Sequence, residues 1–296
     1  MAQEPDWDLW RSFLAVLKAG SLSAAARALG IAQPTVGRHI EALEQGLGAA
    51  LFTRSPAGFK PTETALSLQG EAEAMASAAA ALARTASGAA GEVKGAVRIT
   101  ASDIVGAEVL PPILADFTDR WREVEIELVL SNRLEDLLRR DADIAVRMAA
   151  PSQDALVARR IGDVPLRLYA HRSYLQRRGE PRTVEDLPGH TFIGYDRQPI
   201  PGDLGKHVGI PVDRGFFAFR SDSELGQLAA MRSGLGVCAC QAPLAARDPN
   251  LVPILHDALQ LSIPMYVVMH EDLKSTRRMR LLFDHLVEGL RDYLAE

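Results

Sequence analysis

Residues 21–44 read Ser-Leu-Ser-Ala-Ala-Ala-Arg-Ala-Leu-Gly-Ile-Ala-Gln-Pro-Thr-Val-Gly-Arg-His-Ile-Glu-Ala-Leu-Glu, two short amphipathic helices with a tight break between them. Ser21 is a natural N-cap, its hydroxyl offering an acceptor to a first-turn N–H, and Ala24, Ala25, Ala28 and Leu29 follow at helical spacing. Gly30 ends that helix, because a residue without a Cβ enters the left-handed conformation at little cost. Gln33 and Pro34 open a second helix, where the missing proline N–H would have had no intrahelical partner. Val36, Ile40, Leu43 and Leu47 form one apolar stripe, opposite Thr35, Gly37, Arg38, His39 and Glu41. Small polar and basic groups at a helix start can meet base edges and phosphates in a major groove, so the pattern predicts a helix-turn-helix. Two amphipathic helices and a turn also serve in any helical core, and the spacing alone leaves both readings open.

The series Leu43-Glu44-x-x-Leu47-Gly48-x-x-Leu51-Phe52-x-Arg54 continues directly from the second helix. Residues 51–62 then read as a wing with Pro56 and Gly58 near its tip, and Asp8 to Leu17 as a helix packed behind the other two. Over about sixty residues the chain resembles the LysR-type transcriptional regulators, whose winged helix-turn-helix carries Ala-Ala, then Gln-Pro, then this Leu-Glu…Leu-Gly…Leu-Phe-x-Arg series. Gly37 departs from that pattern, standing where a serine is frequent, and Thr62-Glu63-Thr64-Ala65 lacks the glycine that commonly opens the next helix. The resemblance implies double-stranded DNA as a partner, contacted by Ser23, Gln33, Pro34, Thr35, Arg38 and His39. Arg54 and Lys60 of the wing would hold phosphates or, read blandly, are solvated surface charges.

Composition agrees when taken by segment. The 296 residues carry a net charge of −5, which read globally argues against nucleic acid. Residues 11–60, however, hold six basic groups against two acidic ones, net +4, leaving the rest of the chain at −9. A basic head on an acidic body is the footprint of local nucleic-acid binding. No run approaches the roughly 18 apolar residues of a membrane span. The N-terminus, with Glu4, Asp6 and Asp8 near Trp7 and Trp10, does not read as a secretory signal, so a cytoplasmic protein without membrane partners is expected. Cys238 and Cys240 lie two apart, too close along a strand for an ordinary disulfide, and read as small buried residues; a redox role is the alternative.

From Thr64 to Ala86 alanine dominates, with Ala65, Ala72, Ala79 and Ala86 at one heptad position and Leu68, Met75 and Leu82 three residues on. Such a seam lets two helices approach closely, making Leu68, Ala72, Met75, Ala79 and Leu82 candidate dimerisation residues. A single helix docked on its own domain is the alternative. The resemblance implies a homodimer, paired into a homotetramer. Ser87 to Gly91 reads as a hinge.

The remainder alternates strands (97–101, 125–130, 144–147, 166–170, 192–195, 216–220, 237–240, 265–269) with helices (107–122, 134–140, 224–233, 275–294). Shorter helical pieces fall at 171–178 and 184–187, and residues 196–216 look loop-rich. Strand–helix–strand order predicts a parallel sheet covered on both faces. The fold class expected is therefore α + α/β: an N-terminal winged helix-turn-helix over 1–63, a linker helix and hinge over 64–91, and a two-lobed α/β effector domain over 92–296. Lobe I would take about 92–166 and 270–296, and lobe II about 167–269. That this body is of the periplasmic-binding-protein type, with a small-molecule effector between the lobes, is what the resemblance implies.

Carried over by position, Thr100, Ser102, Asp103, Arg147, Ser221 and Asp222 would border the cleft. The two serines suit a polar or carboxylate metabolite but serve equally as plain helix caps. Arg147 can clamp a carboxylate or pair with Asp103 or Asp222. The seven histidines form no catalytic set, and no phosphate loop, nucleophile elbow or metal-spaced cluster is present. Neither cofactor nor metal nor enzymatic activity is expected. An α/β enzyme or a small-molecule binding protein, with the helical head as an interaction module, stands as the alternative.

Overall fold

A computed structural model describes residues 5–55, 58–86, 93–132, 142–151, 156–198, 212–256 and 261–296. The expected wing tip at Pro56-Ala57, the hinge at 87–91, the helix at 134–140 and the stretch 199–211 lie outside the described residues. The chain divides into one unit running through Thr85 and another spanning Ala86–Leu137 and Ala142–Glu296.

The first unit carries α1 (Trp7–Ala19), α2 (Leu22–Leu29) and α3 (Gln33–Leu47). Ser21 caps α2 by accepting the Ala24 N–H at 3.2 Å, and Gly30 closes it at a φ of +68°. Phe13, Val16, Ala25, Val36, Ile40 and Leu43 are buried together between the three helices. Strands β1 (Phe52–Ser55) and β2 (Gly58–Pro61) form the antiparallel wing, with Thr53 opposite Lys60. Thr62 then starts α4 (Glu63–Ala86): its hydroxyl accepts the Ala65 N–H at 3.2 Å and donates to the Ala50 carbonyl at 2.9 Å. Ala65 and Ala72 are buried in this unit's own core and Leu68 packs against it, whereas Met75 and Leu82 are 42% and 70% exposed. The start of the heptad thus docks on its own domain, and Met75 and Leu82 stand out beyond it.

In the second unit β3 (Gly95–Ala101), β4 (Val124–Leu130) and β5 (Ile144–Arg147) are parallel, Ile99 lying opposite both Leu128 and Ile144. The β3–β4 crossover holds a π turn at Val105–Val109 and then α5 (Leu110–Arg120). Pro111 and Pro112 have no N–H to return to the preceding turn, and at that point the Leu110 N–H reaches back to the Val105 carbonyl. The chain continues through β6 (Leu156–His171), α6 (Arg172–Arg178), the short pair β7 (Ile193–Gly194) and β8 (Phe219–Arg220), and α7 (Glu224–Arg232). It ends with β9 (Val237–Gln241), α8 (Ala242–Ala246), β10 (Leu251–Pro253), β11 (Leu261–His270) and α9 (Arg277–Ala295).

The sheet is mixed, not wholly parallel as the element order predicts. β11 lies antiparallel between β5 and β6, and β9 and β10 also run antiparallel to β6. β6 is far longer than the expected 166–170, because Arg159, Arg160 and Asp163 break its alternation and Gly162 and Pro165 imitate a loop. Pro165 is tolerated because β9 pairs with β6 only from Leu166 onward. The strand expected over 216–220 shortens to Phe219–Arg220, since Asp213 takes the amides of Gly215 and Phe216 into a tight turn over Arg214–Phe216. Leu282, Phe283, Leu286 and Leu290 of α9 are buried in the core. Among the described residues no helix is long and apolar enough to cross a membrane.

Gly37 has no steric excuse: a Cβ there would meet nothing nearer than the Leu22 Cδ1 at 3.9 Å. Gly37→Ala should therefore stabilise the head by about 0.5–1 kcal/mol. Denaturant unfolding followed by helical circular dichroism reads the gain; a lowered midpoint would show that α3 needs the glycine.

Candidate nucleic-acid interface and ligand cavity

The start of α3 presents an exposed polar cluster. Ser23 donates to the Gln33 Oε1 at 3.1 Å, and Arg38 donates to the Thr35 Oγ1 at 3.4 Å, one turn apart on the same helix. Gln33, Pro34 and Arg38 are exposed, as is Lys60 on the wing. Arg54 occupies β1 opposite Phe59. His39 departs from the expected set: its Nδ1 is hydrogen-bonded to the Ser12 hydroxyl at 2.7 Å, and Ser12 is 1% exposed inside α1. The ring is half-buried because position 39 flanks the apolar stripe, so His39 ties α3 to α1.

Glu44, outside the expected set, has a structural role. Its carboxylate accepts the backbone N–H groups of Leu51 and Phe52 at 2.6 and 3.1 Å, fixing the first strand of the wing to the end of α3. Phe52 then packs at a tilt between Phe13 and Phe59, with ring centroids 5.7 and 5.9 Å away. The Leu43-Glu44 to Leu51-Phe52 spacing is the signal that carried this arrangement: two apolar residues enter the core and the acid closes the loop between them.

In the second unit a cavity of about 420 Å³ opens beyond the carboxyl ends of β3 and β5. Such a place is where open α/β sheets bind ligands. Ser102 and Arg147 line it, as expected. Thr100, 2% exposed, lies behind them and accepts from the Arg147 Nη2 at 3.0 Å, while the Arg147 Nη1 donates to the Val146 carbonyl. Asp103 sits beside the rim, its backbone N–H held by the Asn132 Oδ1 at 3.1 Å. Ser221 and Asp222 do not line the cavity. Asp222 instead gathers the backbone N–H groups of Asp196, Arg197 and Gln198 at 2.9–3.0 Å, and these bonds hold its carboxyl below the usual range. Asp222 is thus a staple for a loop, not a ligand contact or a partner for Arg147. Ser221 accepts the Ser223 N–H, and Ser223 is the residue that caps α7.

The walls are mainly apolar, built from residues such as Leu166, Phe192, Phe217, Met231 and Ile263. Polar members outside the expected set include Tyr195, Glu224 and Gln227. Glu224 accepts from the Tyr195 hydroxyl at 3.3 Å, and Gln227 spends its amide on the Ser221 carbonyl at 2.7 Å. Burial lifts the Glu224 carboxyl above its ordinary range, the Tyr195 hydrogen bond opposes the shift and the Asp103 charge adds to it; burial likewise raises the Tyr195 hydroxyl. In sequence Glu224 reads only as a first-turn acid after a cap. Cys238 and Cys240 are both buried free thiols on the cavity wall, each pushed up to about 12 by burial.

Two family models match the chain: the bacterial regulatory helix-turn-helix protein of the lysR family over residues 7–66, and the LysR substrate binding domain over residues 90–291. The HTH-type transcriptional regulator CrgA of Neisseria meningitidis serogroup C is 28% identical over 292 residues, spanning 95% of this chain and 96% of that protein. An HTH-type transcriptional regulator of Xanthomonas campestris is 32% identical over 217 residues, 72% of this chain and 59% of its own length. The structure of CrgA matches with a TM-score of 0.60 at 26% identity, over 96% of this chain and 98% of that one. CbnR, solved complexed with its target DNA, matches with a TM-score of 0.66 at 22% identity over 97% and 99% of the two chains, a likeness of fold.

Glu44→Ala should leave the amides of Leu51 and Phe52 without their acceptor, costing about 2–4 kcal/mol and freeing the wing. Hydrogen exchange at those two amides should accelerate; unchanged protection would assign the wing's position to its aromatic packing alone. The cysteines should stay inert towards an aromatic disulfide reagent at about pH 8 in the native protein and react fully once it is denatured, because a buried thiol is protonated there. Fast native labelling would reverse that assignment.

Proposed function

The chain belongs to the LysR family of bacterial transcriptional regulators and is a DNA-binding regulator with an effector-binding domain; from that premise we propose how its residues divide the work. Residues 1–63 read the duplex, 64–91 link and pair two subunits, and 92–296 take the effector in two lobes, about 92–166 with 270–296 and about 167–269. Ser23, Gln33, Thr35 and Arg38 face the major groove, Pro34 sets the start of the helix, and Arg54 and Lys60 hold the phosphate backbone. The observation that carries this reading is the exposed cluster joined by the Ser23–Gln33 and Thr35–Arg38 hydrogen bonds on a segment of net charge +4. Donors already ordered at the helix start lose less freedom on meeting base edges.

Two recognition helices in a symmetric dimer would meet half-sites about one helical turn apart, and the exposed Met75 and Leu82 of α4, with Ala79 between them, supply the seam. Pairing of dimers gives the tetramer. The protein works in the cytoplasm and answers a small molecule in the 420 Å³ cavity; the apolar walls favour a ligand with an apolar body and one polar end over a wholly polar metabolite. Ser102 lies on the lining where that end can be met, and Thr100 and Arg147 are hydrogen-bonded to each other behind the wall.

The test is enrichment of sheared genomic DNA by the full chain, by a chain lacking residues 1–62 and by Arg38→Ala, each at two salt concentrations. The full chain should retain specific fragments that the truncated chain does not, and Arg38→Ala should bind all fragments more weakly with a shallower salt dependence. Enrichment by the truncated chain, or unaltered binding by Arg38→Ala, would overturn the assignment.

A further inference from the structure

We propose that the cavity selects a ligand whose polar end is a cationic nitrogen, and that Glu224 is the side chain that recognises it. The inference rests on the reading of this cavity as the effector site and adds the charge of what enters it.

Glu224 is the one carboxylate among the described lining residues. It stands half-buried at the start of α7, in walls that are otherwise mainly hydrocarbon. Its only hydrogen bond among the described residues is the 3.3 Å contact from Tyr195, long for an O–H to a carboxylate, and no arginine or lysine there lies within ion-pair distance. Removing a carboxylate from water without a partner is costly, and the raised pKa of Glu224 expresses that cost. The nearby Asp103 deepens the negative potential at the same end. A ligand ammonium would supply the missing charge, and Tyr195 would orient the carboxylate towards it. The first turn of α7 favours an acid, but helix electrostatics do not require that acid to face an apolar cavity.

The opposite choice, a ligand carboxylate, fits less well. Arg147 is the one basic side chain among the described lining residues, and it is 3% exposed with its guanidinium turned to Thr100 and the Val146 carbonyl. A ligand carboxylate would have to share that engaged guanidinium and lie in the same small space as Glu224. Gln227 adds only a neutral donor, one of whose two N–H groups already goes to the Ser221 carbonyl.

Three probes with one apolar body separate the possibilities: phenylbutylamine, phenylbutanol and phenylbutyrate, titrated calorimetrically against the full-length protein. The amine should bind roughly ten-fold or more tightly than the alcohol, and the acid more weakly than both. Glu224→Gln should bring the amine to the level of the alcohol without changing the alcohol itself. Ser102→Trp, which puts a bulky ring into the cavity from its lining, should abolish binding of all three. Amine binding that survives Ser102→Trp would refute the cavity as the site. Binding lost in Ser102→Trp but with no preference for the amine, or with preference for the acid, refutes the charge assignment alone. Failure of every probe to bind the unmodified protein also counts against it. The probe series on the unmodified protein decides the matter even where Glu224→Gln fails to fold.

Discussion

The effector domain hangs on one ladder. β6 and β11 pair antiparallel from Leu166–Leu261 to Leu156–His270, interrupted only by a bulge at Met265 and Tyr266. On one side β11 carries β5, which carries β3 and β4; on the other, β6 carries β9 and β10. Both strands pass unbroken through the positions where sequence reading put the lobe boundaries, 166/167 and 269/270. The strands of the large sheet that border the cavity are therefore registered through these two, while β7 and β8 pair apart from it. A slip of one residue would carry Val164, Met265 and Val267, all fully buried, to the opposite face of the sheet and out of their packing.

How much of this was legible follows from how far each interaction reaches along the chain. The head was readable because its signals are local: the Ser21 hydroxyl meets an amide three residues on, Gly30 ends a helix by its own φ, and Pro34 suits the position it holds. The ladder was not, since Leu156 finds His270 more than a hundred residues away, and the β6 sequence contains Gly162 and Pro165, which mean a loop in any local reading. Topology failed for the same reason. Element order predicts parallel pairing wherever helices intervene, and it cannot say that a late strand will return between two early ones.

The site shows the same division. Ser102 and Arg147, carried over by position from the resemblance, lie at strand ends that line the cavity. Ser221 and Asp222 look identical in sequence, yet the Asp222 carboxylate is consumed by three backbone amides of a loop about 25 residues earlier. Glu224, two residues on, looks in sequence like any residue at a helix start, and its distinguishing property is what surrounds it. His39 was placed on the DNA face by helical spacing, and only the presence of Ser12 across the interface shows why it turns inward.

Recognition in the cavity must come from few groups. Apolar walls add affinity but discriminate weakly, about 1–3 kcal/mol for a methylene gained or lost, whereas a buried polar group left unpaired discriminates strongly. Here the fold has already claimed much of the polar lining: Gln227 holds Ser221, Gln241 accepts from the Tyr293 hydroxyl at 2.8 Å, and the Asn132 oxygen holds the Asp103 amide. Those bonds fix the orientation of the polar side chains on the wall and take up part of their hydrogen-bonding capacity. An effector changes the regulator only through its different affinity for two arrangements of the protein. With so much of the polar wall fixed, that difference rests on the groups the fold has left least satisfied, and Glu224 with its single long hydrogen bond is the clearest of them.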